Sequence, residues 1–528
     1  MKKLILLFLF ILSVLITQAQ AKNTVYTGTI KGYSSSMGFK TGTLYLLNVV
    51  TGVGETYLIE IAPDGTYMLD FPLNTGKECW ISFPFFNGSV YFQPGKKLIH
   101  DFDITDVPKV SSRFKGDAET INNEINKVRA LFSYNWDSIY SDIHALSPEQ
   151  YKSYMLGIQS QKLASLDSVR KSEGMSVTSY RLARDKINYS IAAILMNYND
   201  NRESAYRIKN NIGFASRAPV LKRVKLEPGY YDFLRNLRYN NPSAMAVYDY
   251  NPFINTLKFL DLIYDKAGRI DYTKEIEELK KRDTSDNNIK RTIDHMVEAM
   301  NRNATVPGTV DKARPEVLRE LLQTNITLEL ELMRLQDTCR NINDNKIPLS
   351  EDAIARVKAG LKKPYLFPEV LQLNNKVKQV AELSKTQTGY SNNKTPEVAV
   401  DSIFDTIIDR YKGKVIFIDF WATWCGPCLD GIKQVAPMKS ELADRDVVFL
   451  YITNHSSPET AYKVMITGIK GEHYRLTTDE YNVLAKRFQI NGIPHYAIAN
   501  KKGIVVDNDF HFAGPEKLKA RLVQLEAE

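Results

Sequence analysis

Val415-Ile416-Phe417-Ile418-Asp419-Phe420-Trp421-Ala422-Thr423-Trp424-Cys425-Gly426-Pro427-Cys428 is the stretch whose reading decides the fold. Its first half is an apolar run entered from the turn Lys412-Gly413-Lys414, as expected of a strand buried on both faces. After Cys425 the apolar residues change period, to Ile432, Val435, Met438 and Leu442, which is helical spacing. Cys425 therefore stands where a strand gives way to a helix. Unpaired amides and the positive end of the helix dipole stabilise an anion there and lower a thiol pKa from its free value of about 8.5. The expectation is a partly ionised, exposed nucleophile.

Cys428 follows one helical turn later on the same side, within bonding reach, so the pair makes a reversible dithiol. Asp419 is a carboxylate inside an otherwise apolar strand. Desolvation raises the pKa of such a group unless something pairs or employs it, and its place behind the cysteines suits proton exchange with Cys428. A zinc site needs more Cys or His at ligand spacing, and no second CxxC or HxxxH accompanies this one, so no metal is expected. Nothing calls for a cofactor either.

Taken with Gly492-Ile493-Pro494 downstream, these residues resemble the thioredoxin superfamily, most closely the exported thiol-disulfide oxidoreductases of the TlpA and ResA type. The resemblance runs from near Val398 to the C-terminus. It implies catalytic roles for Cys425, Cys428 and Asp419, and substrate contacts at Trp424, Gly426, Pro427, Ile493 and Pro494. Pro494 holds the position of the family's cis proline, which would leave the Ile493 backbone free to pair with an incoming peptide. The Gly426-Pro427 dipeptide resembles the reducing members. A disulfide oxidase or isomerase remains an alternative, as does a binding protein whose front half captures a ligand. Three departures stand out. His495 replaces a small hydroxyl residue, the helix-bending proline falls at Pro437, and Glu472 and His473 lie in a segment that the shortest thioredoxins lack. Ile418 and Ala422 replace the proline and threonine of peroxiredoxins, which disfavours peroxide chemistry.

At 528 residues the chain is too long for one core, and about three domains are expected. Residues 1–21 read as an export signal, with Lys2-Lys3, an apolar block from Leu4 to Ile16 and the small-residue site Ala19-Gln20-Ala21. The block is short for a membrane span, so no span is expected once the leader is removed. A periplasmic location follows, with periplasmic protein disulfides as substrates and a membrane thiol carrier as electron donor. A net charge of +8 without a concentrated basic stripe argues against nucleic acid. Beyond the pair only Cys79 and Cys339 remain, both expected to be buried free thiols.

The fold class expected is multidomain: an N-terminal antiparallel β-domain over 22–112, a central all-α domain over 113–385 and a C-terminal α/β thioredoxin-like domain over 386–528. Alternating runs such as Val25 to Ile30, Tyr57 to Ile61 and Thr66 to Phe71 suggest a sandwich, with an Asp64-Gly65 hairpin between the last two. Ser147-Pro148-Glu149-Gln150 is a capping box opening a helix that runs to Gly174. Further helices are expected at 192–198, 230–237, 253–264, 272–281, 289–300, 315–335, 350–361 and 368–383. The polar segment Ser384 to Asp401 reads as a linker.

Overall fold

A computed structural model describes residues 22–106, 108–141, 143, 145–212, 220–281, 289, 292–293, 296–297, 300, 304–490 and 492–528. The expected leader and most of the helix expected at 289–300 lie outside these residues.

The front of the chain forms eight strands: β1 (Lys22–Lys31), β2 (Thr41–Asn48), β3 (Val53–Glu60), β4 (Thr66–Leu73), β5 (Lys77–Phe83), β6 (Phe86–Phe92), β7 (Lys97–Asp106) and β8 (Lys109–Gly116). They make two four-stranded sheets, β4-β1-β7-β8 and β3-β2-β5-β6. Tyr26, Phe71 and Phe102 of the first sheet and Leu44, Ile81 and Phe92 of the second share one core. This is a sandwich.

Three expectations need correction here. The sheets are not wholly antiparallel, because β1 pairs with β7 in parallel. Asp64-Gly65 does make a tight turn, but its arms share only the bridge Ile61 to Tyr67 before β3 and β4 part into opposite sheets. The boundary placed at 112 falls inside β8, an edge strand whose one buried residue, Phe114, leaves little alternation to read.

The middle of the chain is helical. Helix α1 (Pro148–Glu173) begins at the expected capping box, in which Ser147 Oγ accepts from Gln150 N at 3.2 Å and Gln150 Oε1 accepts from Ser147 N at 2.8 Å. It ends at Gly174 in the left-handed conformation that glycine tolerates, with φ 71°. Helix α2 (Val177–Met196) is buried nearly all round. The helix expected at 230–237 is 3₁₀, Pro228–Asn236. Those expected at 253–264 and 315–335 are each broken in two, near Leu260 and between Leu322 and Leu328. Two further helices, α3 (Leu328–Asn345) and α4 (Phe367–Leu383), face the β-sandwich.

Polar contacts tie the sandwich to these helices. Gln336 Nε2 donates to Val49 O at 2.8 Å, and Glu369 accepts from Asn48 and Asn74 at 2.7 and 2.8 Å. Deeper in, Lys186 of α2 reaches Glu78 of β5 at 3.0 Å and Asp249 at 2.8 Å. Lys186 and Glu78 are buried, so each holds the other's desolvation in check. Lys186→Met is expected to leave Glu78 uncompensated and lower the unfolding free energy by about 3–5 kcal/mol. Urea unfolding monitored by circular dichroism would measure this, and Glu78→Gln in the same chain should recover part of the loss.

The C-terminal region is a six-stranded sheet in the order β14-β13-β10-β11-β12-β9. Its strands are β9 (Tyr390–Asn393), β10 (Val415–Phe420), β11 (Val447–Asn454), β12 (Gly471–Leu476), β13 (His495–Ala499) and β14 (Val505–Asp507). Helices α5 (Ile403–Asp409) and α8 (Thr478–Arg487) cover one face. The other face is covered by α6 (Gly426–Glu441), α7 (Glu459–Ile466) and α9 (Pro515–Ala527). Strands β11, β12 and β9 run parallel in succession from β10, and β13 is antiparallel to it. Part of the expected linker is therefore strand. Ser391 and Asn393 of β9 donate to Glu472 of β12 at 3.1 and 2.8 Å, polar contacts that leave no apolar pattern in the sequence.

Cys79 and Cys339 are buried free thiols. Among the described residues no helix is long and apolar enough to cross a membrane.

Candidate active site

Alternation along β10 sends Val415, Phe417 and Asp419 to the face covered by α6, and Ile416, Ile418 and Phe420 to the other. Asp419 is thus carried beneath the N-terminal half of α6, paired in register with Tyr451 on β11 and Tyr496 on β13. It is 1% exposed, and its Oδ1 has no hydrogen-bond partner. Burial pushes its carboxyl up to about 8, against a smaller downward pull from Lys439. Sequence reasoning missed Lys439, which looks like an ordinary surface lysine late in α6. Its chain lies over the Tyr451 ring, with Nζ 4.5 Å from the centroid, and Nζ donates to Lys470 O at 2.6 Å. Burial holds its ammonium below the usual lysine range, with Asp419 pulling the other way.

After β10 the chain turns through Ala422, whose carbonyl accepts from Cys425 N at 3.0 Å. Cys425 then caps α6, its sulfur accepting from Cys428 N at 3.2 Å. Cys425 and Cys428 are disulfide-bonded, with Cα atoms 5.3 Å apart. The expected exposed nucleophile is corrected to this extent: in the bonded state Cys425 is only 4% exposed, packed into a core with Trp421 and Ala422. Trp424 is the exposed neighbour, at 46%. Its Nε1 donates to Ser456 O at 3.1 Å, and Thr423 N donates to Ser457 Oγ at 3.0 Å, so the β11–α7 loop holds the turn in place. Gly426 and Pro427 open α6, and Pro437 lies within it.

The Ile493-Pro494 bond is cis. Pro494 and Pro427 line one groove of about 280 Å³ with Gly431, Tyr496 and Phe512. A Cβ at Gly431 would stand 2.4 Å from the Tyr496 hydroxyl, so a larger residue there would displace the Tyr496 side chain. His495 points away from solvent, with Nε2 2.8 Å from Asn508 O and Nδ1 3.5 Å from Asp509, so its neighbours satisfy it. His473 stacks on Tyr451 and contacts Ile469 O at 2.7 Å, while Glu472 accepts from Tyr411 at 3.0 Å. Both belong to the sheet's framework. Among the described residues no cluster of His, Cys, Asp or Glu could hold a metal.

This fold, with a bonded CxxC at the start of α6 and a cis proline across from it, defines a thioredoxin-like thiol-disulfide oxidoreductase domain. The family model and the sequence relatives agree. The family model described as Redoxin matches residues 392–520. A thioredoxin from Malassezia sympodialis is 30% identical over 111 residues, 21% of this chain and 81% of that protein. One from Staphylococcus saprophyticus is 40% identical over 72 residues, 13% of this chain and 62% of that protein. Among solved structures, the thioredoxin domain of a thiol-disulfide oxidoreductase from Bacteroides vulgatus is 17% identical. It matches 22% of this chain and 83% of its own with a TM-score of 0.20. The chain belongs to the thioredoxin family through its C-terminal domain. It spans about four fifths of the length of the Malassezia protein and about three fifths of that of the staphylococcal one.

Proposed function

We propose that this chain is an exported reductase of protein disulfides, working by dithiol exchange at Cys425 and Cys428. The observation that carries the reading is the bonded pair at the start of α6, over a buried carboxylate with a raised pKa. In the reduced protein the Cys425 thiolate attacks one sulfur of a substrate disulfide and expels the other as a thiolate. Cys428 gives its proton to the Asp419 carboxylate and attacks Cys425 Sγ. The Cys425–Cys428 disulfide forms, the substrate leaves as a dithiol, and two electrons have passed to it. An external dithiol must then reset the pair, and a membrane thiol carrier suits an exported protein with the leader read at 1–21.

Trp424 and the Gly426-Pro427 turn shape one side of the approach, and Ile493 and Pro494 offer backbone to a substrate strand on the other. The domains are taken as a β-domain from 22 through the end of β8 at Gly116, a helical domain from there to 385 and a thioredoxin-like domain over 386–528. Direction is the finer part of the proposal. Equilibration of the purified chain with glutathione and dithiothreitol buffers should give a potential near the thioredoxin value of about −270 mV. A value near about −120 mV, that of a strong oxidant, would replace reductase by oxidase.

A further inference from the structure

Trp424 and Gly426 also line a second cavity, separate from the groove of Pro427 and Pro494, whose other walls come from earlier in the chain. Strand β3 packs against α6, and Lys433 Nζ of α6 donates to Thr56 O of β3 at 3.0 Å. A cleft of about 420 Å³ opens between β3, the C-terminal end of α3, α4 and the start of α6, with Trp424 and Gly426 in its lining. That is within the size range of small-ligand sites, about 300–1,000 Å³.

Three lysines from three elements converge on it: Lys346 just past α3, Lys376 on α4 and Lys433 on α6. Only Lys376 has a carboxylate partner, Glu55, at 2.6 Å. Glu55 is further engaged by the Tyr57 hydroxyl at 2.7 Å. Lys346 bonds the neutral Asn343 Oδ1 at 2.9 Å, and Lys433 bonds a peptide carbonyl. Arg340, Asp344 and Asp430 complete the charged lining. Burial brings Lys346 down to about 8, against the pull of Asp344 and with smaller pushes from Lys376 and Lys433 that Glu55 partly offsets. Lys346 and Lys433 thus hydrogen-bond only neutral acceptors, with Asp344 and Asp430 attracting them through space without a direct ion pair, and an incoming anion would gain direct charge-assisted bonds there.

We propose that this cleft binds an acidic peptide segment adjoining the bonded cysteine of the substrate, with Lys346, Lys376 and Lys433 receiving its carboxylates. The inference rests on the exchange reading above, and it gives the front half a share in choosing the substrate. Substrate disulfides would then enter with Pro494 on one flank and this basic wall on the other.

Binding can be tested apart from exchange. The probes are two synthetic peptides with serine in place of cysteine, one flanked by Asp and Glu and the other by Asn and Gln, titrated calorimetrically into the full oxidised chain. The acidic peptide should bind about tenfold more tightly at low ionic strength, and the advantage should shrink as salt rises. Lys346→Gln should cut the advantage several-fold and leave the neutral peptide unaffected. Glutamine already adopts a positive φ in this chain at Gln323 and Gln489, so the backbone at Lys346 tolerates the change. Equal affinities for the two peptides in the wild-type chain would overturn the proposal, whatever the variants do. So would an undiminished acidic advantage in both Lys346→Gln and Lys376→Gln. Acidic preference in a chain that fails to exchange disulfides would uphold the cleft and sink the exchange reading alone.

Discussion

Replacing Cys425 by serine is expected to bring disulfide exchange down to the uncatalysed background, while Cys428→Ser accumulates covalent mixed disulfides with substrate. The two outcomes differ because the sulfurs occupy different places. Cys425 caps α6, where the helix end stabilises its thiolate, whereas Cys428 lies one turn inside and is fully buried. Without the Cys425 sulfur there is no bond for a substrate to form. Without the Cys428 sulfur the first bond forms and nothing intramolecular breaks it. Non-reducing electrophoresis with mass spectrometry of the trapped species would separate the two, and the captured partners would name the substrates. Equal trapping by both variants would contradict this division of labour.

Asp419→Asn should act on rate and on stability in opposite senses. In exchange, the variant lacks the carboxylate proposed to take the Cys428 proton, and release of the mixed disulfide should slow by about 10²-fold or more. The wild-type rate should climb with pH through about 8, where Asp419 ionises, and the variant should lack that limb. In the oxidised chain the effect on stability runs the other way. An ordinary aspartate ionises near 3.9 when unfolded, and the folded carboxyl holds its proton up to about 8. Between these limits the folded state binds the extra proton, so the stability Asp419 contributes is full below the lower value and falls as pH rises, by up to about 1.4 kcal/mol per unit. Lys439 and His473, both held below their usual values by burial, give slopes of the opposite sign, but both remain in the variant. The His473 contribution therefore cancels in the difference between wild type and Asp419→Asn, which reports the carboxylate together with its pull on Lys439. The variant should gain in relative thermal stability from pH 4 to 8, and a difference that stays flat over that range would contradict the raised pKa.

How far the sequence reached depended on how local each signal was. The run from Val415 to Cys428 encodes its own strand, turn and helix, and Asp419 announces itself as a charge in an apolar run, so this part was readable without a structure. The capping box at Ser147 was readable for the same reason. The β9 edge of the C-terminal sheet was not, because β9 joins β12 through Ser391, Asn393 and Glu472, whose polar side chains look like linker until they face each other. The Asp64-Gly65 turn was visible, but the separation of β3 from β4 is decided by their partners β2 and β1, which no local pattern records. Lys439, and the meeting of Lys346, Lys376 and Lys433, are products of tertiary packing. Each lysine alone reads as a solvated surface residue.

The most direct test of the account is a redox titration of the full chain, with alkylation of free thiols and mass mapping at each poise. The account predicts a single two-electron transition confined to Cys425 and Cys428, reversible from either direction, with the buried Cys79 and Cys339 unchanged throughout. A pair that dithiol reagents cannot open and close in the folded protein would contradict it.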